Sequence, residues 1–537
     1  MKQSSLLLIL AVLVINFASC KDKKTDQLTS SIPATAINVI HYNTKALIQK
    51  AHYNPLDNKM LKKFLDEQKN RGGKDGEMMG HIETLIKKPN SFGIDLIDDS
   101  FLYIDKSGTG ILWKVNDAKK LRRTLTETFE IPEEMLEEKD GITIMEPSWG
   151  IVVAWTKEKL LFFNQTRSFS GGSGNLKEQV IKQLKQGAEE SIQANKSFQA
   201  FLDNKKDISI FYSYENAMNL WDVMALQMPV IQDFYSSIKE LADGINYGFF
   251  VSFEKGEVAT DCKIYYKSDE DKEKYMKLMD QYSQDLKVNQ LRYFKETPLF
   301  VLSTGLKGSG LFQYYKESGL FNLIDEETKE KLSQAGVDLE AIISNIEGDV
   351  TFAIHKMIPQ GKNAYGRFDK MMPEATLLVD LKDGKQLWNT FTEIVEKAGD
   401  DLNIQNTGSD AYLMTVEDMV FYLGLSDNTL YITNREAMLN DMSNTQMNEF
   451  ASLAKGKKVF MYGSLDPIKP MLLKEAKDPI AKQLAEKWLN LLGDYSFAAK
   501  NVSDGEGKLI ITDKSDNSLA VFCKLIDESI TLSMEGM

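Results

Sequence analysis

The chain is 537 residues long and carries 78 acidic against 64 basic residues, a formal net charge of -14. Its 43% hydrophobic and 26% charged composition is that of globular proteins and excludes wholesale disorder, and the length allows roughly two to four domains. The acidic balance argues against nucleic acid, whose phosphates need clustered Lys and Arg. Three Cys exclude a disulfide-built scaffold, and four His argue against a zinc or haem enzyme.

In chain order, Lys2 opens a short basic stretch, Leu6 to Ile15 is unbroken and apolar, and Asn16-Phe17-Ala18-Ser19-Cys20 follows. The apolar run is shorter than the about 20 residues a membrane span needs and fits the h-region of a signal peptide. A signal whose small residues end in Cys looks like a bacterial lipobox, although Phe17 stands where an aliphatic residue is usual. The resemblance implies a signal peptide over 1–19 and Cys20 as the lipid attachment site and first mature residue. The covalent lipid would be the only added group, with no further cofactor and no metal. The polar stretch 20–32 reads as a flexible tether.

Residues Ala36 to Tyr42 have strand character, and Thr44 to Lys50 carry helix formers. Ser100 to Asp105 and Gly110 to Val115 are apolar runs around Lys106-Ser107-Gly108-Thr109, a hairpin signal. Asp117 stands where a helix N-cap is expected, followed by Leu121, Leu125 and Phe129 at helical spacing. Ser148 to Trp155 and Lys159 to Asn164 form a second hairpin around Thr156-Lys157-Glu158. Ile208 to Tyr214, Tyr247 to Phe253 and Thr260 to Tyr266 are further strands.

The chain also resembles itself. Gly93-Ile94-Asp95-Leu96 recurs as Gly336-Val337-Asp338-Leu339, and 117–127 recurs as 383–393 with Asp, Lys, Leu, Thr, Thr and Glu kept. The stretches 160–164, 210–212 and 262–264 recur as 430–434, 460–462 and 523–525, in the same order. The expected fold class is α+β: two tandem related copies, 33–290 and 291–530, each an antiparallel sheet with helices mainly on one face, then a C-terminal tail at 531–537. Asp117 and Asp383 read as helix caps, and Gly93 and Gly336 as left-handed residues past helix ends. Cys262 and Cys523 are expected at equivalent strand positions as buried free thiols.

The lipobox, the strand and helix after Ile32-Pro33-Ala34, the order from Gly93-Ile94-Asp95-Leu96 through the hairpin to Asp117-Ala118-Lys119-Lys120-Leu121, and Phe198-Gln199-Ala200-Phe201-Leu202 before Lys205-Lys206-Asp207-Ile208 together resemble an uncharacterised family of Bacteroidetes lipoproteins that holds a domain of unknown function. The resemblance implies an outer-membrane lipoprotein of the cell envelope, on its periplasmic or its surface face. It brings no catalytic residue with it.

No catalytic motif is present: no His-Glu-x-x-His, no Gly-x-Ser-x-Gly, and no phosphate loop at Gly171-Gly172-Ser173-Gly174. Gly305 to Gly310 reads as a strand-to-helix turn, and Asp95, Asp98 and Asp99 as turn carboxylates. The two copies differ most between Lys356 and Glu374, where a long hairpin loop is expected to carry Tyr365, Arg367 and Phe368 as candidate ligand-binding residues beside Met357, Met371 and Met372. The expected function is a non-enzymatic binding or structural module anchored to the membrane by its lipid, with a protein or glycan partner. The alternatives are an envelope or glycan-directed hydrolase using a carboxylate pair, and an accessory subunit of an outer-membrane assembly.

Overall fold

In the computed structural model of the chain, residues 26–535 are described, apart from residues 71, 325, 335, 477 and 502 and the segments 167–174, 226–238, 240–243, 318–323, 361–369, 399–403, 409–410, 417–418 and 444–445. Cys20 therefore lies outside the described residues, as do the Gly/Ser stretch at 168–174 and Tyr365, Arg367 and Phe368. Two units are distinct. Unit 1 takes in Met1–Asp222, Gly244–Lys267 and Ile511–Met537, and unit 2 takes in Val223–Asp243 and Ser268–Ile510.

Unit 1 is built on strands β1 (Asn38–Tyr42), β2 (Ile94–Asp95), β3 (Ser100–Ile104), β4 (Gly108–Val115), β5 (Glu137–Lys139), β6 (Ile142–Ser148), β7 (Ile151–Trp155), β8 (Lys159–Gln165), β9 (Ile208–Ser213), β10 (Ile245–Glu254) and β11 (Glu257–Tyr266). They pair antiparallel in the order β5-β6-β7-β8-β4-β3-β1-β9-β10-β11, with β2 beside the end of β4. Both hairpin turns legible in the sequence are closed by side chains. Asp105 Oδ1 accepts the N–H groups of Ser107 and Gly108 at 2.8 and 3.0 Å, and Thr156 Oγ1 accepts those of Glu158 and Lys159 at 3.1 and 3.0 Å.

Helices cover both faces of this sheet, which corrects the expectation of helices mainly on one. In β8, Leu161 and Phe163 point one way and Leu160 and Phe162 the other, because side chains alternate along a strand. The first pair joins Val180 and Leu184 of helix Leu176–Lys185 and Phe198 and Phe201 of helix Lys196–Leu202. The second pair meets Trp113, Trp155 and Leu121 of helix Ala118–Arg123. An apolar run such as Leu160 to Phe163 must be buried on both sides, and one layer of helices cannot do that.

Asp117 caps its helix as expected, its carboxylate accepting Lys120 N–H at 2.9 Å. The C-terminal helix Ser518–Glu535 belongs to unit 1, where Asp527 accepts a hydrogen bond from Tyr53 at 2.8 Å. That helix corrects the reading of Cys523. Cys262 lies in strand β11 and is half-buried, whereas Cys523 lies in a helix and is buried, so the two are not equivalent strand positions. Cys-Lys followed by an aliphatic residue suits either structure, and three residues are too few to separate a period of 2 from one of 3.6.

Unit 2 is built on β12 (Phe300–Lys307), β13 (Ile346–Gln360), β14 (Lys370–Leu381), β15 (Ile404–Gly408), β16 (Ala411–Val416), β17 (Met419–Ser426), β18 (Thr429–Thr433), β19 (Val459–Gly463), β20 (Leu492–Ala499) and β21 (Asp504–Ile511). Its pairing order is β15-β16-β17-β18-β14-β13-β12-β19-β20, again antiparallel throughout. Asp383 accepts Gln386 N–H at 2.9 Å at the start of helix Gly384–Ala398, and helix Gly308–Glu317 follows β12 directly at the Gly305–Gly310 turn. Gly93 and Gly336 both have a positive φ, +87° and +77°.

The two ends of the segment from Lys356 to Glu374 are strand: β13 and β14 pair through 356–360 and 370–374, Lys356 opposite Glu374, Ile358 opposite Met372 and Gln360 opposite Lys370, and residues 361–369 lie outside the described residues. Met357, Met371 and Met372 lie on these paired strands, opposite Pro373, Pro359 and Ile358. Among the described residues, no helix is long and apolar enough to cross a membrane.

Candidate functional site

A densely charged interior lies in unit 2, where β13, β14 and the end of β18 run side by side. His355 on β13 is buried, and its Nε2 lies 2.9 Å from Thr376 Oγ1 on β14. Thr376 Oγ1 lies 2.7 Å from Thr433 Oγ1, and Thr433 Oγ1 accepts the backbone N–H of Arg435 at 3.0 Å. Arg435 is 7% exposed and is held on three sides. Its guanidinium donates to His355 Nδ1 at 2.8 Å and to Glu296 at 2.9 Å, and reaches Glu374 at 3.2 Å. Asp441 stands 3.8 Å away. Lys356 completes Glu374 at 3.2 Å, and Lys295 completes Asp441 at 3.1 Å.

The protonation state follows from donor count. Arg has only donors, so His355 Nδ1 accepts and its proton sits on Nε2, facing Thr376. Burial, and then the positive charges of Arg435 and Lys356, push the His355 pKa down to about 3, which keeps the ring neutral. Unit 1 holds a smaller relative of this arrangement. His41 on β1 is fully buried, 3.0 Å from Asp99, which Lys205 also meets at 3.1 Å. Burial holds His41 below its usual value.

Beside the Arg435 network, unit 2 opens into a groove of about 690 Å³. Its floor is aromatic: Phe450 stacks on Tyr462 with ring centroids 4.7 Å apart, and Phe294 lies alongside. Tyr462 donates its hydroxyl proton to Asp494 at 2.6 Å, and Asn448 donates its side-chain amide to Phe294 O. Lys295, Glu449, Met447 and Leu453 stand at the rim.

The chain connections leave space here. Between β8 and β9, unit 1 inserts helices Leu176–Lys185 and Lys196–Leu202, which fill its core with Leu184, Phe198 and Phe201. Between β18 and β19, unit 2 has the much shorter helices Ala437–Asp441 and Ala451–Ala454. Among the described residues, less helix over the unit 2 sheet buries less volume, which leaves room for the groove.

Two carboxylates meet in unit 2, but not at the groove. Asp349 is 1% exposed and accepts the backbone N–H groups of Lys287 and Val288 at 2.8 and 2.7 Å. Asp380 accepts Asp349 N–H at 3.2 Å, the Gln290 amide at 2.9 Å and the Thr429 hydroxyl at 2.8 Å. Burial, opposed by those N–H groups and reinforced by Asp380, raises Asp349 to about 6. A raised carboxyl beside a second one has the form of an acid–base pair. Here Asp349 is taken up by backbone N–H groups and Asp380 by Asp349 N–H and the Gln290 and Thr429 side chains, so the pair staples the 287–290 segment to the sheet. Among the described residues, no group of three or more His, Cys, Asp and Glu is placed to hold a metal ion.

The sequence marked Lys356 and Glu374 only as the ends of a divergent segment and Tyr462 only as part of a repeated stretch, and it gave no sign that a network or a groove would form from them. Glu296, His355, Glu374, Arg435 and Asp441 are scattered over five elements or loops and share no spacing. The one available signal was the change of length between β18 and β19 relative to β8 and β9, visible once 160–164 is aligned with 430–434.

A family model described as Domain of unknown function (DUF4836) matches residues 28–519. No curated protein matches the chain. A solved structure titled "Structure of crystal form I of TP0453" matches at 6% sequence identity, over 46% of this chain and 80% of that one, with a TM-score of 0.22, too low to inform the fold.

Proposed function

The chain belongs to the DUF4836 family, a domain of unknown function whose model spans residues 28–519, and from that premise we propose that it is a lipid-anchored envelope protein that works by binding a ligand in the unit 2 groove. The reading supposes a bacterial outer-membrane lipoprotein of the kind found in Bacteroidetes, cleaved before Cys20 and acylated there. It also supposes that the two units descend from one duplicated unit. The shared strand order, β5-β6-β7-β8-β4-β3-β1-β9-β10 in one and β15-β16-β17-β18-β14-β13-β12-β19-β20 in the other, supports duplication, because so many pairings rarely agree by chance.

The observation that carries the binding role is the groove. It lies where the two otherwise parallel strand plans part, in the β18–β19 connection, and loops that vary on a common scaffold are where binding sites are placed.

Two experiments test the two halves of the reading. Cys20→Ala is expected to move the protein from the membrane to the soluble fraction, because no helix among the described residues could hold it there. Retention of the variant in the membrane fraction would sink the anchor. A photo-crosslinking residue in place of Met447, which is 48% exposed at the groove rim, is expected to trap a discrete partner in cells. The same residue in place of Trp149, 68% exposed on unit 1, is expected to trap none. Equal products from both positions would sink the groove.

A further inference from the structure

The chemistry of the groove deepens this reading, on which it rests, by selecting the class of ligand. The lining brings in two carboxylates, Asp494 and Glu449, and a single ammonium, Lys295. Lys295 is already neutralised, 3.1 Å from the buried Asp441. Asp466 adds a third negative charge close to Tyr462, partly offset by Lys469 at 2.7 Å. The electrostatic consequence is visible at Tyr462. Burial, the bond to Asp494, and the negative charges of Asp494, Asp466 and Glu449 all push its ionisation far above the ordinary range of a phenol. An anionic ligand entering here would meet the same field as a phenolate does, and a cation would meet the opposite one. The rim adds apolar surface, with Met447 48% and Leu453 42% exposed. Side chains that combine a cationic head with an apolar stem, Lys and Arg, fit both features at once.

We propose that the unit 2 groove binds a basic peptide segment, with a Lys or Arg head at Asp494 and Glu449 and its aliphatic stem across Met447 and Leu453. Recognition is by charge at Asp494 and Glu449 and by apolar contact at Met447 and Leu453.

The test uses the purified full chain in detergent and calorimetric titration with three blocked tetrapeptides, Lys-Leu-Lys-Leu, Gln-Leu-Gln-Leu and Glu-Leu-Glu-Leu. The lysine peptide is expected to bind at least about tenfold more tightly than the glutamine peptide, and the glutamate peptide not to bind. Raising ionic strength to about 1 M, where the screening length is about 3 Å, is expected to remove most of that preference. Glu449→Gln, at an exposed position where folding is not at stake, is expected to weaken the lysine peptide several-fold, and Glu449→Gln with Asp494→Asn about tenfold or more. Glu134→Gln with Asp140→Asn, on the exposed surface of unit 1, is the control for attraction by net charge alone, and equal weakening by that pair would overturn the proposal. So would equal binding of the lysine and glutamine peptides. If Met447 crosslinking persists while the lysine peptide fails to bind, the ligand class is wrong and the groove remains a binding site. If crosslinking and peptide binding are both lost, both readings fall.

Discussion

Arg435→Ala is expected to lower the stability of the chain by about 3–5 kcal/mol, the range for removing one partner from a buried ion pair. The guanidinium is 7% exposed and serves Glu374, Glu296 and the His355 ring at hydrogen-bond distance. Its removal leaves Glu374 and Asp441 buried and His355 Nδ1 without its donor. Lys356 and Lys295 remain beside the two carboxylates at 3.2 and 3.1 Å, which places the expected loss at the lower end of the range. Glu296 is 80% exposed at its side chain and adds little, because water replaces the guanidinium there. Urea unfolding reads the loss directly. Arg435→Met combined with Glu374→Met should cost less than Arg435→Met alone, since the stranded charge goes with its partner. A loss under about 1 kcal/mol for Arg435→Ala would show that the network does not hold the β13–β14–β18 region together.

The second large effect is in the pH dependence. The folded pKa of His355 is about 3 against an ordinary 6.5, so the folded state binds fewer protons than the unfolded one between those values. Its contribution is fully present above pH 6.5 and falls by about 1.4 kcal/mol per pH unit as acid is added, a loss of up to about 4–5 kcal/mol by pH 3. Asp349 acts with the opposite sign. Its folded pKa is raised to about 6 from 3.8, so the folded state holds that proton more tightly, and its ionisation costs stability above pH 6. That cost is relieved as the pH falls from 6 towards 3.8. Between about pH 6 and pH 4 the two slopes oppose and nearly cancel, which leaves a flat profile for these two groups. His355→Gln keeps an acceptor for Arg435 but removes the titration, so the variant is expected to gain stability relative to the wild type on acidification, by about 3 kcal/mol between pH 6.5 and pH 4. Urea midpoints at these two pH values measure it. Parallel profiles for variant and wild type would mean that His355 is not held neutral.

How far the sequence could be read depended on the distance over which each feature acts. The caps at Asp117 and Asp383 and the hairpin turns at 105–108 and 156–159 were legible because each rests on contacts within a few residues, and the strands 160–164 and 430–434 were legible from their apolar runs. The match of Cys262 to Cys523 failed, because three shared residues carry no period. The ends of the long loop expected from Lys356 to Glu374, 356–360 and 370–374, are paired strand, because cross-strand partners are invisible along one strand. Helices on both faces of unit 1 were implicit in Leu160-Leu161-Phe162-Phe163, an apolar run with no polar side to spare.

By itself the sequence determined the local grammar of this protein: where strands turn, where helices begin, that segments of similar pattern occur twice, and that the surface is acidic. These depend on capping geometry, turn chemistry and alternation, which act over four residues or fewer. Only the tertiary structure decided that Arg435, His355, Glu374 and Asp441 share one buried network, that Asp349 and Asp380 close on backbone, and that the shortened β18–β19 connection leaves a groove floored by Phe450 and Tyr462. Such sites are assembled by sheet pairing between residues scores of positions apart. Their energies come from desolvation and from charges brought together in the interior, and neither exists until the chain has folded.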